Sequence, residues 1–144
     1  MKAFYAGSFD PFTIGHLYVA KRALELFGSL VIGVGENESK KGCKVVEERL
    51  LKISRCFAGV DNVEFLAYKE LTAEVAKNCG AAVLVRGVRN SLDFEKEKEL
   101  ADINLEVFGM PTVFIPSPPG LNYISSSMVR ELEHFGYDAS RFKA

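Results

Sequence analysis

The sequence predicts an α/β protein: a five-stranded parallel sheet with helices on both faces. Two observations carry that prediction. Short apolar runs with the character of buried strands alternate with helix-period segments from one end of the chain to the other. The residues suited to ligand chemistry also fall repeatedly where a strand gives way to the next helix. The chain has 144 residues, 48% of them apolar and 26% charged. That is enough for one domain spanning residues 1–144, with a core that needs no staples.

The elements follow in order. Lys2–Ala6 is a buried strand, and Ile14–Phe27 a helix whose Leu17, Ala20, Leu24 and Phe27 recur on one face. Leu30–Val34 is the second strand, followed by a polar loop, Glu36–Lys44. Val46–Phe57 reads as a helix, opened by Glu47 and Glu48, which suit a helix N-terminus. Val63–Ala67 is the third strand, and Leu71–Asn78 a helix stopped by Gly80. Ala81–Val85 is the fourth strand, Ser91–Phe108 a long helix, Thr112–Ile115 the fifth strand and Ser126–Phe135 the last helix. In such a sheet ligands bind beyond the carboxyl ends of the strands, at a topological switch point. Ser8, Lys40, Leu71 with Thr72, Arg86 with Arg89, and Ser125–Ser127 follow the five strands in turn.

Composition excludes several classes. The net charge of −1 offers no basic field for nucleic acid. Cys43, Cys56 and Cys79 form no C-x-x-C pair, and the two histidines complete no zinc pattern. Reduced thiols in a cytoplasmic protein are the expectation. The first residues lead straight into a strand, so no signal peptide is expected, and no apolar run reaches membrane-spanning length.

The first junction carries the most chemistry. Gly7-Ser8-Phe9-Asp10-Pro11-Phe12-Thr13-Ile14-Gly15-His16 is a glycine-bearing turn between a strand and a helix. Free amides and the positive end of the helix dipole make it a place for a polyphosphate. A lone helix-face histidine is ordinarily just solvated, but His16 stands in the first turn of this helix. Arg86 and Arg89 offer two bidentate phosphate forks after a buried strand. One serine at a helix start is a cap. Three in a row, with Arg130 one turn on, suit a triphosphate. The Lys40–Lys41 pair is of a kind usually solvated. The long helix carries two apolar rows, Leu92, Leu100, Ile103, Val107 and Phe94, Ala101, Leu105, Phe108. One row is expected to pack on the sheet and the other to be buried elsewhere or to remain an exposed patch, the alternative being that both wrap into one wide buried face.

Thr13-Ile14-Gly15-His16 resembles the (Thr/His)-x-Gly-His signature of the nucleotidyltransferase superfamily, and Ile124-Ser125-Ser126-Ser127-Met128-Val129-Arg130 its second signature. Val85-Arg86-Gly87-Val88-Arg89 and Asp93-Phe94-Glu95 resemble one family in particular, the bacterial phosphopantetheine adenylyltransferases. The likeness runs from residue 1 to about residue 142. It implies a Rossmann-like nucleotidyltransferase fold and transfer of AMP from ATP to 4′-phosphopantetheine, giving 3′-dephospho-coenzyme A and pyrophosphate. It implies His16 and Lys40 as catalytic residues, and Ser8, Lys40, Thr72 and Arg86 as acceptor-binding residues. It implies ATP contacts from Ser8, Phe9, His16, Gly87, Val88, Arg89, Glu97, Leu121, Asn122, Tyr123, Ile124, Ser125, Ser126 and Ser127. Leu121 stands where some relatives carry an aromatic residue, and Lys96 where many carry tyrosine. Mg²⁺ bridged by the substrates, a homohexamer and feedback binding of coenzyme A complete the implied picture. The alternatives are a sister enzyme acting on nicotinamide mononucleotide or using CTP, and a catalytically silent nucleotide-binding module.

Overall fold

The computed structural model describes residues 1–36 and 43–144. Their elements are β1 (Lys2–Gly7), α1 (Ile14–Phe27), β2 (Ser29–Gly35), α2 (Cys43–Arg55), β3 (Val63–Tyr68), α3 (Thr72–Asn78), β4 (Val83–Val88), α4 (Ser91–Phe108), β5 (Thr112–Pro116) and α5 (Ser126–His134), followed by a short 3₁₀ turn at Ser140–Phe142. All neighbouring strands are parallel, in the order β3-β2-β1-β4-β5. β1 is central. From it the chain winds outward to β2 and β3, then returns to lay β4 on the other side. That reversal between β1 and β4 is the switch point, and a cleft opens there.

The pleat of β1 divides the core. Ala3 and Tyr5 face α1 and α2, where they pack with Val19, Ala20, Ala23, Ile53 and Phe57. Phe4 and Ala6 face the opposite layer, with Ala73 and Ala76 of α3 and with Phe108 at the end of α4. Both faces of β1 are covered, which is why its sequence is apolar without alternation. A third cluster joins Ile124 and Val129 near the start of α5 to Ala139 and Phe142.

The expected elements are present, with shifted ends. β4 begins at Val83 rather than Ala81, and α2 at Cys43 rather than Val46. Gly80 does follow α3, with a left-handed φ of 79°. The packing expected of α4 does not hold, because none of its 18 residues is fully buried. Leu92, Leu100, Ile103 and Val107 are exposed, and in the second row Phe94 and Leu105 are exposed as well. The stripe turned inward is Glu97, Ala101, Asn104 and Phe108, all half-buried. Helical period places these four on one face. The face mixes polar and apolar residues because most of it borders a cavity rather than the core.

Candidate active site

Two cavities open beyond the carboxyl ends of β1 and β4, one of about 300 Å³ and one of about 670 Å³. Ala6, Gly7, Ser8, Arg86 and Glu97 line both, so these residues form a common wall.

The turn after β1 is held from below by an aromatic plug. Phe9 has a left-handed φ of 47° and is 2% exposed. Its ring lies 5.0 Å from Tyr5, 5.2 Å from Phe12 and 5.1 Å from His16. A Cβ on Gly7 would come within 2.6 Å of that ring, so only glycine lets Phe9 fold back under the turn. The turn's carbonyls are tied by donors from distant helices. Arg49 of α2 donates to the Ser8 carbonyl, Arg130 of α5 to that of Asp10, and Ser126 Oγ to that of Pro11 at 2.7 Å. Lone pairs occupied this way, two of them by guanidinium groups, leave the turn's potential toward the cavity more positive.

His16 is the third residue of α1 and completes its capping box. Thr13 Oγ1 accepts from the His16 amide at 3.3 Å, and the Thr13 amide donates to His16 Nδ1 at 3.0 Å. Because Nδ1 accepts, the ring proton of the neutral imidazole sits on Nε2. Burial, then the charges of Arg86 and Arg89, push its pKa down to about 4. Near neutral pH the residue is therefore a neutral hydrogen-bond donor facing the smaller cavity.

Arg86 ends the buried run of β4. Its Nε and Nη2 each donate to an oxygen of Glu97 at 2.7 Å, and its Nη1 to the Ala6 carbonyl. Burial opposes its charge, but the Glu97 hydrogen bonds and the Glu97 charge outweigh it and raise the guanidinium pKa. Burial also raises the hydroxyl of Tyr5, which lines the same cavity and stays a protonated donor. Between the arginines, a Cβ on Gly87 would stand 3.0 Å from Val19, and the missing side chain leaves bare backbone at the cavity wall. Arg89 pairs with Asp93 at 2.9 Å, and Asn90 caps α4 through the Asp93 amide at 2.9 Å. At the start of α5, Ser125 caps the helix through the Met128 amide at 3.1 Å and contacts Ser127 Oγ at 3.2 Å.

The larger cavity lies between α3 and α4. Leu71, Leu84, Leu100 and Ala101 give it apolar walls, and Thr72, Asn104, Glu36 and Lys69 give it polar ones. The Thr72 hydroxyl is 2.9 Å from that of Tyr68. Thr112 Oγ1 is buried in the cavity wall and has no hydrogen-bond partner.

Residues 4–132 match the cytidylyltransferase-like family. The phosphopantetheine adenylyltransferase of Porphyromonas gingivalis is 42% identical over 140 residues, covering 97% of this chain and 92% of the relative. The enzyme of the same name from Phocaeicola vulgatus is 44% identical over 141 residues, covering 98% and 93%. The chain belongs to the phosphopantetheine adenylyltransferase family. The same fold is found in a lipopolysaccharide core biosynthesis protein from Thermoplasma volcanium, at 20% identity and TM-score 0.58 over 82% of this chain and 96% of that one. It is also found in a bifunctional NMN adenylyltransferase/ADP ribose pyrophosphatase from Francisella tularensis, at 16% identity and TM-score 0.71, covering 99% of this chain and 44% of that one.

Most of the residues expected at the family's site converge. Ser8, Phe9, His16, Arg86, Gly87, Arg89, Glu97 and Ile124 with the three serines line the smaller cavity. Thr72 lies in the larger one, which also borders Ser8, Arg86 and Glu97. Phe9 is buried, so any ligand contact it makes comes from its backbone. Val88, Leu121, Asn122 and Tyr123 line neither cavity, and Tyr123 is 60% exposed. Lys40 and Lys41 lie outside the described residues. Sequence reasoning missed Tyr5 and Asn104. Tyr5 was hidden in an apolar strand. Asn104 had a signal, a polar residue in helical register with Glu97.

Proposed function

We infer that the chain is an adenylyltransferase of coenzyme A biosynthesis, joining the AMP of ATP to 4′-phosphopantetheine to give 3′-dephospho-coenzyme A and pyrophosphate. Family membership supports the reaction. The observation that carries the reading for this molecule is the wall common to the two cavities. ATP occupies the smaller cavity, against the turn after β1, Gly87–Arg89 and the start of α5. The acceptor occupies the larger one, with its phosphate at Arg86 and Thr72 and its uncharged arm along Leu100, Ala101 and Asn104. The two substrates then meet in line across the wall.

The acceptor phosphate needs no base, because its second pKa is about 6 and it is anionic near neutrality. One of its oxygens forms a bond to the α-phosphorus as the bond from that phosphorus to the bridging oxygen breaks, and pyrophosphate leaves with the electron pair. His16 Nε2–H donates a hydrogen bond to the α-phosphate as charge gathers there. Lys40, on the evidence of resemblance alone, is assigned to the same charge. The carboxylates nearest the nucleotide, Asp93 and Glu97, are each engaged by an arginine, and no group of three or more His, Cys, Asp or Glu side chains could hold a metal among the described residues. Mg²⁺ is therefore proposed to travel with the triphosphate, and no step above depends on it.

A homohexamer is proposed with the same family in mind, the exposed row on α4 being the surface it would use. Coenzyme A, which carries both a pantetheine arm and an adenine nucleotide, is proposed as a feedback ligand across both cavities. The enzyme is assigned to the cytoplasm. No helix among the described residues is long and apolar enough to cross a membrane. Pyrophosphate release with ATP and 4′-phosphopantetheine tests the function. Release with nicotinamide mononucleotide instead, or none with either acceptor, would refute it.

A further inference from the structure

Tyr5 is 3% exposed, yet it lines the smaller cavity. Its ring belongs to the core, packed against Phe9 at 5.0 Å. Its hydroxyl has no hydrogen-bond partner among the described residues. A buried tyrosine ordinarily finds one. Phenylalanine would fill the same space without the polar atom, so packing alone does not account for the hydroxyl. Its neighbours say where it stands. Tyr5 pairs with Val85, the residue before Arg86. A Cβ on Gly87 would stand 3.9 Å from the hydroxyl oxygen, so that oxygen lies beside the bare backbone between the two arginines. Phe9 joins Tyr5 to His16, with ring centroids 5.0 and 5.1 Å away. The charges of Arg86 and Glu97 both act on Tyr5, and these two residues stand in the wall common to the cavities. The part of ATP that must reach this wall is the α-phosphate, where the acceptor attacks. We propose that Tyr5 is a further catalytic residue, whose hydroxyl donates a hydrogen bond to a non-bridging oxygen of the ATP α-phosphate as a second donor with His16. The proton stays on the tyrosine throughout. The acceptor oxygen bonds to the α-phosphorus, pyrophosphate leaves with the electron pair, and the hydroxyl steadies only the charge on the non-bridging oxygen. Burial keeps the hydroxyl protonated and available as a donor.

This rests on the adenylyltransferase reading. The test is Tyr5→Phe, which removes the hydroxyl and keeps the ring. Without ligand the variant is expected to melt at the wild-type temperature or above it, since the hydroxyl has no partner to lose. With ATP and 4′-phosphopantetheine, its kcat is expected to fall about 10²-fold, the range for one lost donor to a developing oxyanion. ATP affinity by calorimetry and the KM for the acceptor are each expected to stay within about twofold. Tyr137→Phe, at an exposed position, serves as the control and is expected to change nothing. The two diastereomers of ATP with sulfur on the α-phosphorus give a second readout. Wild type is expected to use them at different rates, and Tyr5→Phe to change the ratio, which a purely structural role would leave alone. Near-normal kcat overturns the proposal, as does an unchanged ratio, a fall in melting temperature, or lost ATP affinity at unchanged kcat. In each of those cases a wild type that turns over 4′-phosphopantetheine leaves the functional reading standing. A wild type that releases no pyrophosphate with that acceptor overturns the reading and this proposal with it.

Discussion

Thr13 and His16 fix each other. The Thr13 amide donates to His16 Nδ1 at 3.0 Å while Thr13 Oγ1 accepts from the His16 amide at 3.3 Å. A helix cap thus also sets the tautomer of the imidazole. The Thr13 Oγ1 also lies 3.1 Å from Nδ1, but the backbone amide would remain, so Thr13→Ala should keep the tautomer while removing the side-chain cap. We expect a loss of about 1 kcal/mol in urea denaturation, with the Nε2-protonated form still seen by nitrogen NMR.

Removing the ring itself should behave differently. If His16 stabilises charge that develops only in the transition state, His16→Ala lowers kcat by about 10²–10³-fold and leaves ATP affinity nearly unchanged. Rapid-quench turnover with calorimetric ATP titration separates the two. Near-normal turnover would remove His16 from the mechanism.

The depressed pKa of His16 ties it to acid stability. The native imidazole titrates at about 4, the unfolded one at about 6.5. Below the unfolded value the denatured chain takes up a proton that the native chain refuses. The stability linked to His16 is therefore whole above about pH 6.5 and is lost as pH falls toward 4. Urea midpoints should drop more steeply between pH 7 and pH 5 in wild type than in His16→Gln.

The proposed placement of the substrates gives the two arginines different partners. Arg86→Ala is expected to raise the KM for 4′-phosphopantetheine about 10–100-fold, as for a lost charge-assisted contact, with ATP affinity nearly intact. Arg89→Ala should do the reverse. If the two effects exchanged places, the assignment of the cavities would be inverted.

The exposed row on α4 makes a prediction about assembly. Ile103 is 56% exposed in the single chain, so Ile103→Glu should leave the fold and its melting cooperativity in place. Where that row is covered by a second copy, the charge would be buried without a partner. Light scattering should find an oligomer for wild type and a mass near one chain for the variant.

Much of this was legible in the sequence because the signals are local. The turn around Gly7, the helix of Leu17, Ala20 and Leu24, and the serines at 125–127 declare themselves within a few residues. The parallel sheet follows from strands that alternate with helices. Tertiary partners were not legible. Glu97 lies 11 residues from Arg86 and looks like part of a solvated charge run until α4 is docked over β4. The facing of α4 misled for the same reason. An apolar row is expected to turn inward, yet here the inward stripe includes Glu97 and Asn104, because this stretch of α4 walls a cavity rather than the core.

β1 is hydrogen-bonded on both sides, to β2 and β4, and Ala3 and Phe4 have no exposed surface at all. Amides in such a strand are expected to exchange with solvent only through openings close to global unfolding. The turn that carries Ser8 and leads into α1 thus hangs from the strand expected to exchange most slowly, while β3 and β5 sit at the sheet edges. Breathing at the rim would then leave the turn after β1 assembled, so that a ligand seated there meets a backbone already ordered by folding.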